Sequence, residues 1–197
     1  MDVVEPVSGK KSVLEKDGTI HSAGDTVLGA DDISGILEIL YGVQLVLDSG
    51  KPHKKIEILF TIGEELYVKG SDVFDYSKVT AKQAYVLDLS EETTFNIGTI
   101  QGGTATNIVP DCCVLTAYET PLESKSVTDF QKACEILGFS GELTGTFGGS
   151  DNNSFAKNGI EGLVLSNGMY NAHSTREYTT VDDLYKGAEL IGQLILL

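Results

Sequence analysis

The feature that most constrains this fold is an apolar run, residues 56–60, that stops at two adjacent carboxylates. The sequence IEILF is followed by TIG and then by Glu64 and Glu65. Its loosely alternating apolar residues predict a buried strand over residues 56–61, whose carboxyl end delivers both acids into a cleft. Adjacent side chains of a strand diverge, so one glutamate can bind a metal while the other faces a substrate as a general base. Paired glutamates are also common on solvated surfaces, so the pair needs support from other residues.

Strand and helix signals alternate along the chain, and this alternation sets the class of fold. Apolar residues at helical spacing predict a helix over residues 33–47, which the DSG sequence at 48–50 ends. The QGG sequence at 101–103 is predicted to connect two strands. The whole pattern predicts an α/β core with helices on both sides of the sheet. The other predicted strands are residues 84–89, 94–100, 107–118 and 162–165, and the other predicted helices are residues 127–137 and 181–197.

Several acids and one histidine are predicted to meet at one edge of this sheet. Ligands of α/β proteins bind beyond the carboxyl ends of the strands, where Asp31, Glu64, Glu65, Asp88 and the loop with His173 are expected. Carboxylates and an imidazole suit zinc, with manganese or cobalt as substitutes. Each residue also has a structural explanation: Asp31 as a helix cap, Asp88 as a turn acid and His173 as a surface histidine. Their occurrence together favours a metal site.

Composition restricts the partners of the protein. The 197 residues suffice for one sizeable α/β domain, and the formal net charge of −15 argues against a nucleic acid or an anionic membrane as partner. The sequence shows neither a signal segment nor an apolar run of the roughly 18 residues that a membrane helix needs. Cys112, Cys113 and Cys134 lack the spacing of a zinc-thiolate site and predict core thiols in a reducing cytoplasm.

Five longer motifs surround the candidate residues. They are GDTVLGADD at residues 24–32, FTIGEE at 60–65, IQGGTATNIVPD at 100–111, GGSDN at 148–152 and GMYNAHSTRE at 168–177. Together, in this order and over nearly the whole chain, they resemble the peptidase T branch of the co-catalytic zinc exopeptidases, the tripeptide aminopeptidases.

The resemblance implies a domain organisation. Members have a catalytic α/β domain with a three-layer αβα core (phosphorylase/hydrolase-like) that holds two zinc ions, and a ferredoxin-like lid domain interrupts it. For this chain the resemblance implies a discontinuous catalytic domain, residues 1–91 and 142–197, whose N-terminal part is missing. Residues 92–141 would be a truncated remnant of the lid, which also serves dimerisation.

The resemblance also implies a role for each candidate residue. Asp31 would bridge both metals, Glu65 and His173 would complete one zinc site, and Asp88 would bind the other ion. Glu64 would be the general base that activates a water molecule.

Further residues are implied near the cleft. Ser150 and Asp151 would line it, although Asp151 is equally explained as the cap of a helix. Asp2 would be the aspartate that orients a metal-binding histidine, but that histidine would precede Met1 and is absent from this sequence.

Other departures from the family pattern bear on activity. No residue matches the lid histidine that stabilises the oxyanion of the tetrahedral intermediate, and Thr120 stands where the family has an arginine. Ile33 replaces a lysine and Leu89 a glycine. Loss of one oxyanion donor typically costs about 10²–10³ in rate, so the resemblance implies a shortened peptidase with impaired activity.

Two functions from different classes follow. The first is a zinc-dependent aminopeptidase that hydrolyses N-terminal residues of short peptides by means of a metal-activated water, with one or two ions bound. The retained Asp31, Glu64, Glu65 and His173 favour it. The second is a non-catalytic peptidase remnant that binds a metal or a partner, favoured by the missing histidines and the shortened lid.

The shortened lid also predicts self-association. Half of a ferredoxin-like lid leaves strand edges unpaired, and such edges tend to pair with another chain. We therefore expect a homodimer in which residues 107–118 form the shared edge.

Overall fold

The structure is a computed structural model that describes residues 4–66, 68–89, 101–102, 113–114, 120–145 and 149–197. Its elements follow one another as an α/β chain. In order they are β1 (Ser12–Leu14), β2 (Thr19–Ser22), α1 (Ala30–Ser49), α2 (Lys69–Asp72), a 3-10 turn (Tyr76–Lys78), β3 (Gln83–Leu89), β4 (Gln101–Gly102), β5 (Cys113–Val114), α3 (Lys125–Leu137), α4 (Asn152–Lys157), β6 (Glu161–Ser166), β7 (Tyr178–Thr180) and α5 (Val181–Leu196).

A parallel pair of strands, β3 and β6, forms the centre of the core. Ala84 pairs with Gly162 and Leu87 with Leu165, and the register shifts between Leu87 and Leu89. Helices α1, α3 and α4 pack against this pair, because strands this apolar need cover on both faces, and α5 packs against α1 and α3. The buried side chains of the core are Leu87, Phe130, Ala133, Cys134, Leu165, Ile191 and Leu194.

Local capping signals explain where the helices begin and end. Ser124 Oγ accepts a hydrogen bond from Val127 N at the start of α3, and Gly138 ends that helix with φ 71°. Thr180 Oγ1 accepts from Asp183 N at the start of α5. Gly50 ends α1 with φ 62°. The predicted helices over residues 33–47, 127–137 and 181–197 are therefore confirmed, within a few residues at each end.

A second sheet, β1–β2–β7, is antiparallel and holds two loops in place. Thr19 pairs with Thr180, so β2 is joined to the strand that directly precedes α5. The ring of Tyr170 stacks on that of Tyr178, with centroids 4.6 Å apart. This sheet brings the loop after β2 close to the loop before β7.

The predicted strand over residues 56–61 is wrong, because this segment belongs to no strand of the described residues. Glu57 explains the difference. Its Oε2 accepts hydrogen bonds from Thr80 N at 3.0 Å and Ala81 N at 2.9 Å. These bonds tie the segment to the loop before β3 instead of to the edge of a strand.

A groove of about 390 Å³ separates the 54–61 segment from β3 and from helices α1 and α5. Ile58 and Phe60 line it and remain 43% and 44% exposed. The groove is therefore the place where the structure departs furthest from the continuous sheet that the sequence predicts.

The lid interval is only partly described. Gln101–Gly102 pairs antiparallel with Cys113–Val114, so the predicted connection at 101–103 begins within a strand. Most of the predicted strands over 94–100 and 107–118 lie outside the described residues, and the homodimer built on them stays a prediction. Helix α3 falls inside the 92–141 interval but packs against β3, β6 and α5. The domain boundaries also stay a prediction.

Within the part of the chain that the structure describes, no helix combines the length and the apolar character that crossing a membrane requires.

Candidate metal centre

Three donor groups from distant parts of the chain meet at one point. His173 Nε2 lies 2.8 Å from Asp31 Oδ2 and 3.0 Å from Glu65 Oε1. The three donor atoms all lie within 4.8 Å of one another. Hydrogen bonds to Asp31 and Glu65 raise the pKa of His173 to about 10. Two carboxylates and an imidazole in this arrangement can bind a divalent cation.

A small acidic cavity adjoins this triad. Its volume is about 40 Å³, more than the roughly 10–15 Å³ that one water molecule needs. Burial raises the pKa of Asp88 to about 9, and Glu64 is the neighbouring carboxylate that raises it most. Burial and then the charge of Asp31 raise the pKa of Asp32 to about 8. The lining residues are Asp31, Asp32, Thr61, Glu64, Glu65, Val86, Asp88 and Asp151.

Strand geometry explains why Asp88 faces this cavity. Alternate residues of a strand point to the same face, and both Val86 and Asp88 line the cavity. Asp88 lies near the carboxyl end of β3, where the pairing with β6 becomes irregular. The predicted position of this acid on the rim of the sheet is therefore confirmed, while its role as a ligand stays a prediction.

Asp151 is part of the same acidic wall and does not cap a helix with its side chain. It precedes α4, but its carboxylate makes no capping hydrogen bond there. Instead, Asp151 Oδ2 accepts a short hydrogen bond from Thr61 Oγ1. The explanation of Asp151 as a helix cap is therefore wrong. Ser150 is buried beside it, and its hydroxyl accepts a hydrogen bond from Asn152 N at 3.3 Å.

The loop that presents His173 has unusual backbone angles. Asn171 and His173 have φ values of 50° and 62°, in the left-handed region that residues other than glycine seldom adopt. Such conformations cost on the order of 1–3 kcal/mol and persist where surrounding contacts fix them. Here Ser174 Oγ donates to Asn171 O at 2.7 Å and closes the turn around His173.

The other histidines and the N-terminal aspartate behave differently. His21 pairs with Glu15 at 3.0 Å on the β1–β2 hairpin, and His53 is exposed with Nδ1 2.7 Å from Lys54 O. Neither belongs to the triad. Asp2, the predicted partner of a further histidine, lies outside the described residues.

Sequence reasoning missed Asp32, Asn167 and Glu177, which support the site. Asn167 Nδ2 donates to Asp32 Oδ1 at 3.0 Å and to Ser34 Oγ at 2.9 Å. Glu177 accepts hydrogen bonds from the backbone N–H groups of Gly29 and Asp31. Asp32 and Glu177 stand inside recognised motifs, but neither spacing nor residue type indicates the partners of their side chains.

The fold and this cluster together define an α/β protein with a candidate cation site at the carboxyl ends of its central strands. The sequence pattern of Peptidase family M20/M25/M40 matches residues 1–197. The chain belongs to that family, which is a family of peptidases and therefore of hydrolases.

Relatives of known sequence or structure agree with this assignment. YqjE of Bacillus subtilis (strain 168), described as uncharacterized, is 25% identical over 99% of this chain and 78% of its own length. A peptidase T of Vibrio cholerae (strain O395) is 43% identical over 70 residues, which are 35% of this chain and 17% of the relative. The crystal structure of aminopeptidase PepT from Bacillus cereus ATCC 10987 has the same fold, with a TM-score of 0.82 at 24% identity. It covers 98% of this chain and 78% of its own.

The alignment with YqjE also shows a difference in length. It extends over 291 positions, whereas this chain has 197 residues. The relative therefore has segments that have no counterpart here.

Proposed function

We propose that this chain is a metal-dependent aminopeptidase that removes N-terminal residues from short peptides, with zinc as its metal and cobalt or manganese as substitutes. The observation that carries the proposal is the triad of Asp31, Glu65 and His173 beside a cavity that Glu64 also lines. Membership of a peptidase family supports it and does not favour a non-catalytic remnant.

The donor groups fit such a metal. Two carboxylates and one imidazole match the protein ligands of catalytic zinc sites, which leave a position open for water or substrate. The buried acids of the adjoining cavity repel one another, and a cation offsets that repulsion. Asp31, Glu65 and His173 would bind one ion, and Asp31 with Asp88 would bind a second.

The residues around the metal would then divide the chemistry. A bound metal supplies a positive charge that acidifies water and polarises the scissile carbonyl. Glu64 accepts the proton of the attacking water at its carboxylate and returns it to the departing amino group. Glu65 contacts His173 in the triad, while Glu64 lines the cavity beside it, so the two adjacent acids can take different roles.

The substrate follows from the acidic character of the site. The free amino group of a peptide is a cation, and Asp151 is a buried acid on the cavity wall whose Oδ1 has no hydrogen-bond partner among the described residues. We propose that Asp151 receives the α-ammonium group of the peptide. Such a contact restricts cleavage to the first residue.

The test is hydrolysis of a panel of tripeptides by zinc- or cobalt-loaded protein without an affinity tag. We expect Glu64→Gln to lower kcat by at least about 10²-fold, because general-base catalysis contributes about 10²–10⁴, while bound metal stays the same. Glu123→Gln, an exposed acid beside α3, is the matched control and should retain full activity.

Two results would contradict the proposal. One is turnover in Glu64→Gln equal to that of the parent protein. The other is a parent protein that binds metal and hydrolyses none of the peptides.

A further inference from the structure

Glu177 is a buried carboxylate that contacts the loop carrying Asp31. Its side chain is 2% exposed. Oε2 accepts a hydrogen bond from Gly29 N at 2.6 Å, and Oε1 accepts one from Asp31 N at 2.8 Å. Both carboxylate oxygens are thus committed to the backbone on either side of Ala30.

These two N–H groups lie at the N-terminal end of α1, where Asp31 and Asp32 have non-helical backbone angles and the regular turns follow. The first N–H groups of a helix have no partner within the helix, and Gly29, at the cap position, has no side chain to supply one. Glu177 therefore does at long range what a capping residue normally does locally. A carboxylate that accepts two backbone N–H groups forms charge-assisted hydrogen bonds, which are shorter and stronger than neutral ones.

Glu177 also belongs to the loop that presents His173. Its backbone N donates to Ser174 O at 3.1 Å, within the turn that follows His173. One residue thus connects the loop of His173 with the loop of Asp31. At the triad, His173 Nε2 of one loop lies 2.8 Å from Asp31 Oδ2 of the other.

We propose that Glu177 is a positioning residue of the metal centre, which fixes Asp31 relative to His173 before a cation binds. The inference rests on the proposed function, since it takes Asp31 and His173 as ligands. Partners that orient metal ligands typically contribute about 10–100-fold in metal affinity. A residue that only caps α1 contributes to stability and leaves that affinity unchanged.

The test compares Glu177 with Glu161, another glutamate whose carboxylate accepts hydrogen bonds at the start of a helix. Glu161 accepts from Ser126 N at 2.8 Å and from Ser126 Oγ at 3.0 Å at the start of α3. We expect Glu177→Gln to lower the affinity for Co²⁺ about 10–100-fold, because an amide places its NH₂ group against one of the two N–H donors. Glu161→Gln should lower the melting temperature and leave the Co²⁺ affinity unchanged.

The readouts are Co²⁺ affinity by competition with a chromophoric chelator, the visible absorption of the bound Co²⁺, and the melting temperature of each variant without metal. Glu177→Asp retains the charge on a shorter side chain and should recover part of the affinity. If Glu177→Gln does not fold, Glu177→Asp carries the same comparison.

Each outcome decides the question. Equal Co²⁺ affinity and equal absorption in the parent and in Glu177→Gln would overturn this inference alone, and so would failure of both Glu177 variants to fold. A parent protein that binds no Co²⁺ would overturn the proposed metal site together with the inference.

Discussion

At the residue scale, carboxylates in this protein have opposite behaviour in two environments. Burial among other acids raises the pKa of Asp32 to about 8 and that of Asp88 to about 9. Outside the cavity, hydrogen bonds from Lys55 Nζ and then from Thr80 lower the pKa of Glu57 to about 2. Residue type alone gives no hint of this difference, because it depends on which groups the fold places beside each acid.

Glu57 yields a prediction for acid stability. The pKa of Glu57 is lower in the folded state than its ordinary value of 4.5. Its carboxylate therefore stabilises the folded protein fully at pH values above 4.5. This contribution is lost as the pH falls through the folded-state value of about 2. We therefore expect the melting temperature of the parent to fall more steeply than that of Glu57→Gln between about pH 4.5 and pH 2.

The comparison has a simple control. Glu123→Gln removes an exposed acid at the start of α3 and should follow the parent curve. Parallel melting curves for the parent and Glu57→Gln would contradict the prediction.

At the scale of elements, the close packing of α1 on α5 depends on glycine. A Cβ atom on Gly42 would lie 2.7 Å from Ala188 O and 2.9 Å from Ile191 Cβ. On the facing helix, a Cβ atom on Gly192 would lie 3.5 Å from Gly42 O, which is ordinary contact. The two glycines occupy the same interface but leave different amounts of space.

Replacing each glycine by alanine should therefore have opposite effects. Gly42→Ala should lower the free energy of unfolding by about 1–3 kcal/mol, because backbone atoms of α5 cannot yield. Gly192→Ala should raise it by about 0.5–1 kcal/mol, because alanine favours a helix. Chemical denaturation of both variants measures the difference, and equal shifts for the two would refute this account of the interface.

The elements also show what the sequence could predict. Helical spacing and terminal glycines locate α1 and α3, because these signals act within a few residues. The segment 56–61 has the composition of a strand, but a strand also needs a partner, and Glu57 binds the loop at Thr80 and Ala81 instead. Local signals predict an extended conformation and leave the pairing undetermined.

At the scale of the whole molecule, the groove between the 54–61 segment and the core leaves apolar surface accessible to solvent. Its volume of about 390 Å³ is within the usual range for ligand pockets. Ile58 lines it, whereas Leu14, 64% exposed on β1, lies outside it.

We expect the folded protein to enhance the fluorescence of anilinonaphthalene sulfonate, because accessible apolar clefts bind this dye. Ile58→Glu should reduce the emission by placing a negative charge against an anionic dye, while Leu14→Glu should leave it unchanged. Fluorescence titration at constant protein concentration measures both effects. Equal emission from the two variants would show that the dye binds elsewhere.

The residues of the triad could be predicted from the sequence, whereas the residues that hold the triad in place could not. Asp31, Glu65 and His173 could be found because each stands in one of the five motifs that carry the family resemblance, and the structure brings all three together. Glu177 and Asn167 escaped prediction because their partners lie at positions 29–34, more than a hundred residues away in the chain. Contacts at that separation depend on topology, which sequence patterns constrain only weakly.

The order of the triad along the chain has a consequence for synthesis. A ribosome releases Asp31 and Glu65 more than a hundred residues before His173 and Glu177. A nascent polypeptide therefore exposes acids without the imidazole or the carboxylate that organise them. A stop codon between these positions would therefore yield chains that carry the two acids but lack the imidazole of the proposed metal site.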